Sequence, residues 1–501
     1  MGIESRTVEK EGYKTAFKAT ALFGGVQVVI ILIQILKAKV VALWLGASGL
    51  GIMSLFNAAT SLIFSISNLG LQESAVRDIA YAKGSGDENR VAGTIKAINR
   101  WVIATGFLGA VVTIALSPWL SEWMFESDAY VTAFILLSCV VFLMGIYSAN
   151  YATLQGTRNL KLMAQANVFG AISGFLCSLP MFYFFRDEGI VWALILTALS
   201  TTAVSLFYVK KAYIPKVDQT FAEIYRIGLK AVRLGIMLAL SGISVTLVQF
   251  AIKTFIVRMG GLNDVGLYEA GWALNTTYLG LVFTAMAKDY YPRLSQIAGD
   301  NAQVKVMMNQ QTEIALVLLA PLIIIMIVFM SFFIRLLYSA EFLAIVPMTK
   351  WLLIGALVRA GAWGTSFVFL AKGDGKLFLF NELGIKIITL PSYLLCYYWF
   401  GLVGIGYANV FNFLIYFLWV GIVAYRKYKI SYSPIFWKLF ITFLSIILLY
   451  PIGEQLWNAK YLTGIAITLC ICGLSLYEFN KRIDIRDFWA NIVSRFKSNK
   501  Q

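Results

Sequence analysis

Charged side chains inside long apolar stretches are the first candidates for chemistry. Arg359 and Lys386 each lie near the middle of such a stretch, and Glu382 precedes Lys386 by about one helical turn. Lys253 lies in another apolar stretch, one turn after Gln249. A charge at the centre of a bilayer costs at least about 2.5–3.5 kcal/mol on insertion scales, so it is rarely kept without a function. These residues predict a cationic binding site inside a membrane.

The chemistry open to such a site is narrow. The chain has no histidine, which excludes histidine-dependent metal sites, Ser–His and Cys–His nucleophiles and a histidine proton relay. Its cysteines lie in apolar runs without metal-ligand spacing and are interpreted as small hydrophobic residues: Cys139, Cys177, Cys396, Cys470 and Cys472. We therefore expect ligand binding rather than enzyme activity, with no metal and no cofactor.

The amino-acid composition indicates whether this chain is surrounded by water or by lipid. Of its 501 residues 59% are hydrophobic and 14% charged, whereas a soluble domain has roughly 25% charged residues. One globular core rarely grows beyond about 250–300 residues, so this apolar content cannot form a single buried interior. The net charge of +16 fits the positive-inside rule and anionic lipid headgroups, and we expect no nucleic-acid partner. The predicted fold class is an all-α polytopic membrane protein.

Apolar windows of about 20 residues predict about fourteen transmembrane helices. Alternating strands typical of outer-membrane barrels are absent from the sequence. The first span is interpreted as an uncleaved helix because no convincing cleavage site follows it. The predicted spans lie near 16–36, 49–71, 101–120, 129–150, 163–185, 189–209, 235–257, 265–287, 313–334, 343–370, 377–399, 401–425, 435–452 and 461–478.

The distribution of Lys and Arg predicts the orientation. Most of these residues fall in connections on the same side as the N-terminus, so both termini are predicted to be cytoplasmic. The connections are too short for a catalytic domain, which places the function within the helical bundle. Residues 480–501 alternate apolar and basic side chains, typical of an amphipathic helix on the inner leaflet, with partner binding as an alternative.

The chain repeats itself at an offset near 215 residues. An even number of spans per half gives both halves the same orientation, around an axis along the membrane normal. We predict an N-lobe at 1–215, a C-lobe at 216–430, an appended helix pair at 431–479 and a tail at 480–501. Two six-helix lobes with a cleft between them are typical of alternating-access transporters. The matching pairs are Gln34 and Gln249, Gly46 and Gly261, Gly51 and Gly266, and Ala58 and Ala273.

Three segments carry a family resemblance: residues 39–51, 265–271 and 289–295. They resemble bacterial O-antigen and polysaccharide repeat-unit flippases of the multidrug/oligosaccharidyl-lipid/polysaccharide exporter superfamily, over roughly residues 10–430. The resemblance implies a V-shaped pair of lobes around a cationic cavity. It also implies transport of an undecaprenyl-pyrophosphate-linked oligosaccharide, such as a lipopolysaccharide O-antigen unit, across the bacterial inner membrane. The lipid-linked oligosaccharide and membrane lipids are expected partners, and polysaccharide polymerase and chain-length proteins are further candidates.

A pyrophosphate headgroup accounts for cations within spans, since Arg and Lys offer it charge-assisted hydrogen bonds. Two alternatives stay open: Glu382 and Lys386 could form a structural ion pair, and Lys39 and Arg258 could be anchors at the membrane rim. The candidate substrate-binding residues are Arg359, Lys386, Lys253, Gln34, Gln249, Lys39 and Arg258.

Coupling to an ion gradient would require carboxylates within spans, and Glu382 and Glu269 are the candidates. In the exchange hypothesis, pyrophosphate binds Lys386 and the freed Glu382 takes up a cation; alternatively, Glu382 only fixes the conformation of Lys386.

Three other functions are compatible with the fold. They are a multidrug exporter, a flippase for the peptidoglycan lipid precursor, and a non-catalytic scaffold for polysaccharide assembly. Basic residues at the membrane midplane disfavour a site for cationic drugs. A scaffold would tolerate neutral replacements of Arg359 and Lys386.

Overall fold

A computed structural model describes residues 25–212, 217, 220–456 and 460–482. Within these ranges the chain is helical and contains no strand, which confirms the all-α prediction. The predicted amphipathic tail lies largely outside the described residues. The helices are α1 (Gly25–Trp44), α2 (Gly46–Ser67), α3 (Leu71–Gly84), α4 (Glu88–Phe125), α5 (Val131–Gly156), α6 (Leu160–Phe185), α7 (Gly189–Lys211), α8 (Phe221–Ala273), α9 (Gly280–Gln296), α10 (Asn301–Val328), α11 (Met330–Leu337), α12 (Val346–Ala371), α13 (Gly375–Tyr428), α14 (Pro434–Leu456) and α15 (Lys460–Arg482).

Ten stretches of the described chain have the length and composition of a membrane span. Three of them run for 52, 58 and 54 residues, and a helix of 53 residues would be about 80 Å long, far more than the roughly 30 Å of hydrocarbon. Each is broken at one point, by a turn at Arg186–Glu188 or by non-helical backbone at Gly261 or Gly401. A π-helix at Leu274–Leu279 joins α8 to α9 without ending the helical stretch. Counting both sides of each break, together with α14, agrees with the prediction of about fourteen spans.

The breaks recur at a constant interval along the chain. Residues with positive φ occur in pairs that are 215 positions apart: Gly46 and Gly261, Arg158 and Gly373, and Arg186 and Gly401. Left-handed backbone is uncommon, and it costs energy for residues other than glycine. Three pairs of such residues at the same offset are therefore not explained by the number of glycines in the chain. This regularity supports the repeat inferred from sequence.

The chain packs as two compact units. Unit 1 comprises Met1–Glu269 and Leu337–Glu341, and unit 2 comprises Ala270–Leu336 and Phe342–Gln501. This division describes packing and does not test the lobe boundaries near 215 and 430, which stay predictions.

In unit 1, α2 crosses the second part of α8 at two glycines. A Cβ atom on Gly51 would overlap the carbonyl oxygen of Leu262, and one on Gly266 would overlap that of Ala47. Both the glycines and the facing residues are 215 positions apart, so each helix presents to the other the same pair of positions. Small residues at a crossing let two membrane helices approach with backbone contact.

In unit 2, α12 packs against both parts of α13, and a buried polar group joins them. The amide of Asn409 donates to the carbonyl oxygen of Leu352 at 3.2 Å, and its oxygen accepts a hydrogen bond from Tyr393 at 2.9 Å. Gly355 leaves the space for this amide, because a Cβ there would collide with it. A satisfied polar group in an apolar core fixes the register of the helices that share it.

Membrane orientation is tested by labelling single cysteines in a variant without native cysteines. Ser85 and Asp128 are exposed residues of unit 1, at opposite ends of α4. We expect a membrane-impermeant maleimide to label Asp128→Cys but not Ser85→Cys in intact spheroplasts, and to label both after lysis. Labelling of Ser85→Cys in intact spheroplasts would reverse the orientation.

Candidate functional site

The first group of polar residues lies in unit 1, where α8 folds back on itself. The ammonium of Lys253 lies 2.7 Å from a carboxylate oxygen of Glu269. That same oxygen accepts a hydrogen bond of 2.9 Å from the hydroxyl of Ser54 on α2. The break at Gly261 reverses the chain between the lysine and the glutamate and brings the two into contact. An ion pair that is hydrogen-bonded in this way carries no net charge into the membrane segment.

Ser54 and Glu269 are themselves 215 residues apart. The hydrogen bond therefore joins equivalent positions of the repeat, as the reciprocal contacts of Gly51 and Gly266 do. Glu269 has an acidic side chain where the equivalent residue has a hydroxyl, so the charge pair is a feature of one half of the repeat.

The other candidates in unit 1 have varied surroundings. Gln249 accepts a hydrogen bond of 2.8 Å from Tyr268, which also links the two parts of α8. Arg258 is exposed and donates to the carbonyl oxygen of Trp123 at 3.0 Å, with its guanidinium 5.9 Å from the indole centroid. Gln34 is exposed on α1 and Lys39 is half-buried on the same helix. The structure thus brings Gln249 close to the Lys253 region through Tyr268, while Arg258 lies against Trp123.

The second group lies in unit 2, between α12 and the two parts of α13. The phenol of Tyr416 donates to Glu382 at 2.6 Å. Glu382 and Tyr416 are electrostatic neighbours of Arg359, and Glu382 and Arg359 are neighbours of Lys386. The structure therefore brings together three candidates that are up to 27 positions apart in sequence. Two cations and one carboxylate leave this group with a net positive charge.

The cations of this group do not pair directly with Glu382. In the described part of the chain, neither Arg359 nor Lys386 has a nitrogen within 4 Å of a carboxylate oxygen. The guanidinium of Arg359 instead lies over the rings of Phe283 and Phe413, at 4.8 and 5.7 Å from their centroids. Cation–π contacts hold a guanidinium in place without neutralising it. The group can therefore supply charge-assisted hydrogen bonds to an anion.

A turn outside the membrane segments joins α12 to α13 and sets their relative position. Asp374 accepts a hydrogen bond from Tyr428 and lies 3.0 Å from the ammonium of Lys427. These contacts, led by the Tyr428 hydrogen bond, hold the pKa of the Asp374 carboxyl below its usual range. Lys372 donates at 2.6 Å to both the carbonyl oxygen of Ala298 and the side chain of Asn301. The turn therefore also fixes the start of α10.

Sequence reasoning missed Ser54, Tyr416 and the rings that contact Arg359. Serine, tyrosine and phenylalanine are common in apolar helices, so their types alone carry no signal. The repeat does provide a signal for Ser54, because Ser54 occupies the position equivalent to Glu269. For Tyr416 the sequence offers none, since its contact with Glu382 depends on how α13 breaks at Gly401.

Known proteins resemble this chain in sequence. The sequence model of one family, described as polysaccharide biosynthesis protein, matches residues 40–347, which is more than half of the chain. The chain belongs to this family. A curated relative, the Lipid III flippase of Escherichia coli (strain K12), is 20% identical over 352 residues, which cover 70% of this chain and 83% of the relative.

Solved structures of other proteins have a fold similar to that of this chain. A Lipid II flippase MurJ in an inward closed conformation is 12% identical with a TM-score of 0.69, covering 93% of this chain and 99% of that one. An inward-facing multidrug resistance transporter of the MATE family is 18% identical with a TM-score of 0.68, covering 80% and 99%. The resemblance inferred from residues 39–51, 265–271 and 289–295 is therefore confirmed.

The contact between Lys253 and Glu269 predicts a compensation experiment. Removing one partner of a buried ion pair costs roughly 3–5 kcal/mol, and less here because about a third of the Glu269 side chain is exposed. We expect Lys253→Gln and Glu269→Gln each to lower the melting temperature of the purified protein. The double variant should recover most of the loss, since no uncompensated charge is left.

Lys376→Gln is the matched control, because Lys376 is exposed and forms no ion pair within the described residues. Additive losses in the double variant would show that the two side chains act independently, against the ion pair seen in the structure.

Proposed function

We propose that this protein is a flippase for an undecaprenyl-pyrophosphate-linked oligosaccharide, an O-antigen unit or a related polysaccharide repeat. It moves this substrate from the inner to the outer leaflet of the bacterial inner membrane by alternating access. The observation that carries the proposal is the net positive group of Arg359, Lys386 and Glu382 within membrane helices. The family description and a curated relative that is a Lipid III flippase support the class of substrate.

Each residue of that group has a role in the proposal. Arg359 binds the pyrophosphate in the bidentate geometry open to a guanidinium, and Lys386 adds a second charge-assisted hydrogen bond. Phe283 and Phe413 hold the guanidinium in place before the anion arrives. Glu382, fixed by Tyr416, limits the excess positive charge. The sugar hydroxyls bind side-chain amides such as those of Gln34 and Gln249.

Competing functions predict different outcomes of one experiment. A multidrug exporter, a peptidoglycan-precursor flippase and a scaffold share the fold with the proposed function. A transport assay on purified, reconstituted protein distinguishes the first two by substrate, because a fluorescent lipid-linked oligosaccharide, a peptidoglycan precursor and a cationic dye can each be offered. The scaffold predicts no transport of any of them.

The binding role of Arg359 and Lys386 is tested by neutral replacement. A hydrogen bond to a charged group contributes about 1.5–3 kcal/mol, which corresponds to about 10- to 150-fold in affinity. We expect Arg359→Gln and Lys386→Gln to reduce translocation of the lipid-linked oligosaccharide at least tenfold at normal protein levels. Arg359→Lys should be intermediate, because a point charge replaces the planar fork.

Lys376→Gln serves again as the control, since this exposed lysine lies on the same helix as Lys386 but at its end. It should transport within about twofold of the unmodified protein. Normal transport by Arg359→Gln would remove this residue from the binding site and, with Lys386→Gln also normal, would contradict the proposal.

Coupling to an ion gradient is proposed at Glu269 rather than at Glu382. An exchange in which an anion displaces a lysine from a carboxylate requires direct contact between lysine and carboxylate. Lys253 and Glu269 have that contact, at 2.7 Å, whereas Glu382 is hydrogen-bonded by Tyr416. A carboxylate that loses its lysine inside the membrane gains affinity for H⁺ or Na⁺.

This proposal predicts opposite effects of two isosteric changes. In vesicles with an imposed pH or Na⁺ gradient, Glu269→Gln should make transport insensitive to the gradient, and Glu382→Gln should leave the gradient response in place. If only Glu382→Gln abolishes the response, the exchange takes place at Lys386, as the spacing of Glu382 and Lys386 in the sequence suggests.

A further inference from the structure

A cavity of about 780 Å³ lies in unit 2, away from the residues assigned to transport. It opens where α10 and α14 begin and α15 ends, so the appended helix pair forms most of its walls together with α10. This end of the three helices is on the predicted cytoplasmic side. Neither Arg359 nor Lys386 lines the cavity, so it is separate from the net positive group.

The polar base of the cavity is built by a network around Ser433. Its hydroxyl accepts from the backbone N–H of Phe436 at 2.9 Å, which caps α14, and donates to Glu313 at 2.7 Å. Its own N–H donates to the side-chain oxygen of Asn309 at 2.7 Å. Glu313 and Asn309 are both buried. The base is therefore a fixed structure that does not depend on a ligand for its shape.

The cavity is lined by more basic than acidic side chains. Lys305, Lys438 and Lys481 contribute three ammonium groups, and Glu313 and Glu478 contribute two carboxylates. In the described part of the chain, none of the three lysines lies within 4 Å of a carboxylate oxygen. The amino end of α14 adds a partial positive charge at the same place. The cavity thus carries a net charge of about one positive unit.

The surface around the cavity is apolar and exposed. Val306 and Ile435 line the cavity and expose 56% and 55% of their surface. Leu476 and Leu469 continue an exposed apolar face along α15, and Ile441 does so along α14. In a protein that spans a membrane, such faces are covered by acyl chains. A ligand with a charged head and apolar tails therefore fits both the cavity and its surroundings.

We propose that this cavity binds the headgroup of a membrane glycerophospholipid with one net negative charge, of the phosphatidylglycerol class. The lysines donate to the phosphate diester, whose single charge matches the excess in the cavity. The glycerol headgroup lies against the polar lining of the cavity, and the acyl chains lie on the exposed faces of α14 and α15. This gives the appended helix pair a function of its own, which does not depend on the proposed transport substrate.

The test measures lipid binding to the purified full-length protein in a neutral detergent. Native mass spectrometry across a titration with phosphatidylglycerol gives the dissociation constant. We expect the triple variant Lys305→Gln, Lys438→Gln and Lys481→Gln to raise this constant at least tenfold. The matched control replaces Lys161, Lys210 and Lys376 by Gln, which removes the same charge from positions outside the cavity, and should change it by less than twofold.

Two competing ligands identify the class bound by the unmodified protein. Phosphatidylethanolamine, which has the same phosphate diester but no net charge, should bind at least fivefold more weakly. Inorganic phosphate at 10-fold molar excess over the lipid should not displace it, because it has no acyl chains. Lys438→Gln alone, with an expected rise of about threefold in the dissociation constant, keeps the test available if the triple variant fails to fold.

Three results would overturn the proposal. Equal losses in the triple variant and its control would reduce the effect to general surface charge. Equal binding of phosphatidylethanolamine would reduce it to an unselective lipid shell. Displacement by inorganic phosphate would assign the cavity to a free anion.

Discussion

The cost of an unpaired charge in hydrocarbon is the constraint on which the arrangement of this protein depends. Inside a membrane, a charged side chain is retained where it is paired, solvated by a cavity or used to bind a ligand. Lys253 satisfies the constraint by direct contact with Glu269. Among the residues that the structure describes, Arg359 and Lys386 share one neighbouring carboxylate, that of Glu382, and the guanidinium lies against aromatic rings. The pair of Lys253 and Glu269 is therefore electrically neutral. The group of Arg359, Lys386 and Glu382 has a net positive charge that can bind an anion.

The backbone that positions these groups is repeated with a fixed period. Left-handed residues at Gly46 and Gly261, and at Arg186 and Gly401, break the helices at equivalent points. Without the break at Gly261, Lys253 and Glu269 would lie on one straight helix, about 24 Å apart along its axis. The glycine break is thus the local cause of the ion pair, and the repeat explains why an equivalent break exists in the first half.

The sequence predicts the large-scale features well because hydropathy and charge act locally. Span positions and the repeat follow from residue types alone, as the break at Gly261 illustrates. Contacts across helices are less accessible. The spacing of Glu382 and Lys386 favours a direct pair on one helix face, but Glu382 bonds to Tyr416 from the other part of α13. The competing partner approaches only after α13 has turned back at Gly401, so no local pattern in the sequence contains it.

The two halves of the repeat have similar backbones but different charges, and this difference bears on how a ligand is bound. Asn167 lies 215 positions before Glu382 and accepts a hydrogen bond from Tyr147 at 3.1 Å. Its donor is not the equivalent of Tyr416, because the position 215 before Tyr416 is Thr201. The positions equivalent to Arg359 and Lys386 are Met144 and Ala171. The first half therefore has a different polar contact at Asn167 and has no charge at the positions equivalent to Arg359, Lys386 and Glu382. Under the proposed function, Arg359 and Lys386 bind the pyrophosphate from the second half, so the two halves of the repeat differ in what they offer an asymmetric substrate.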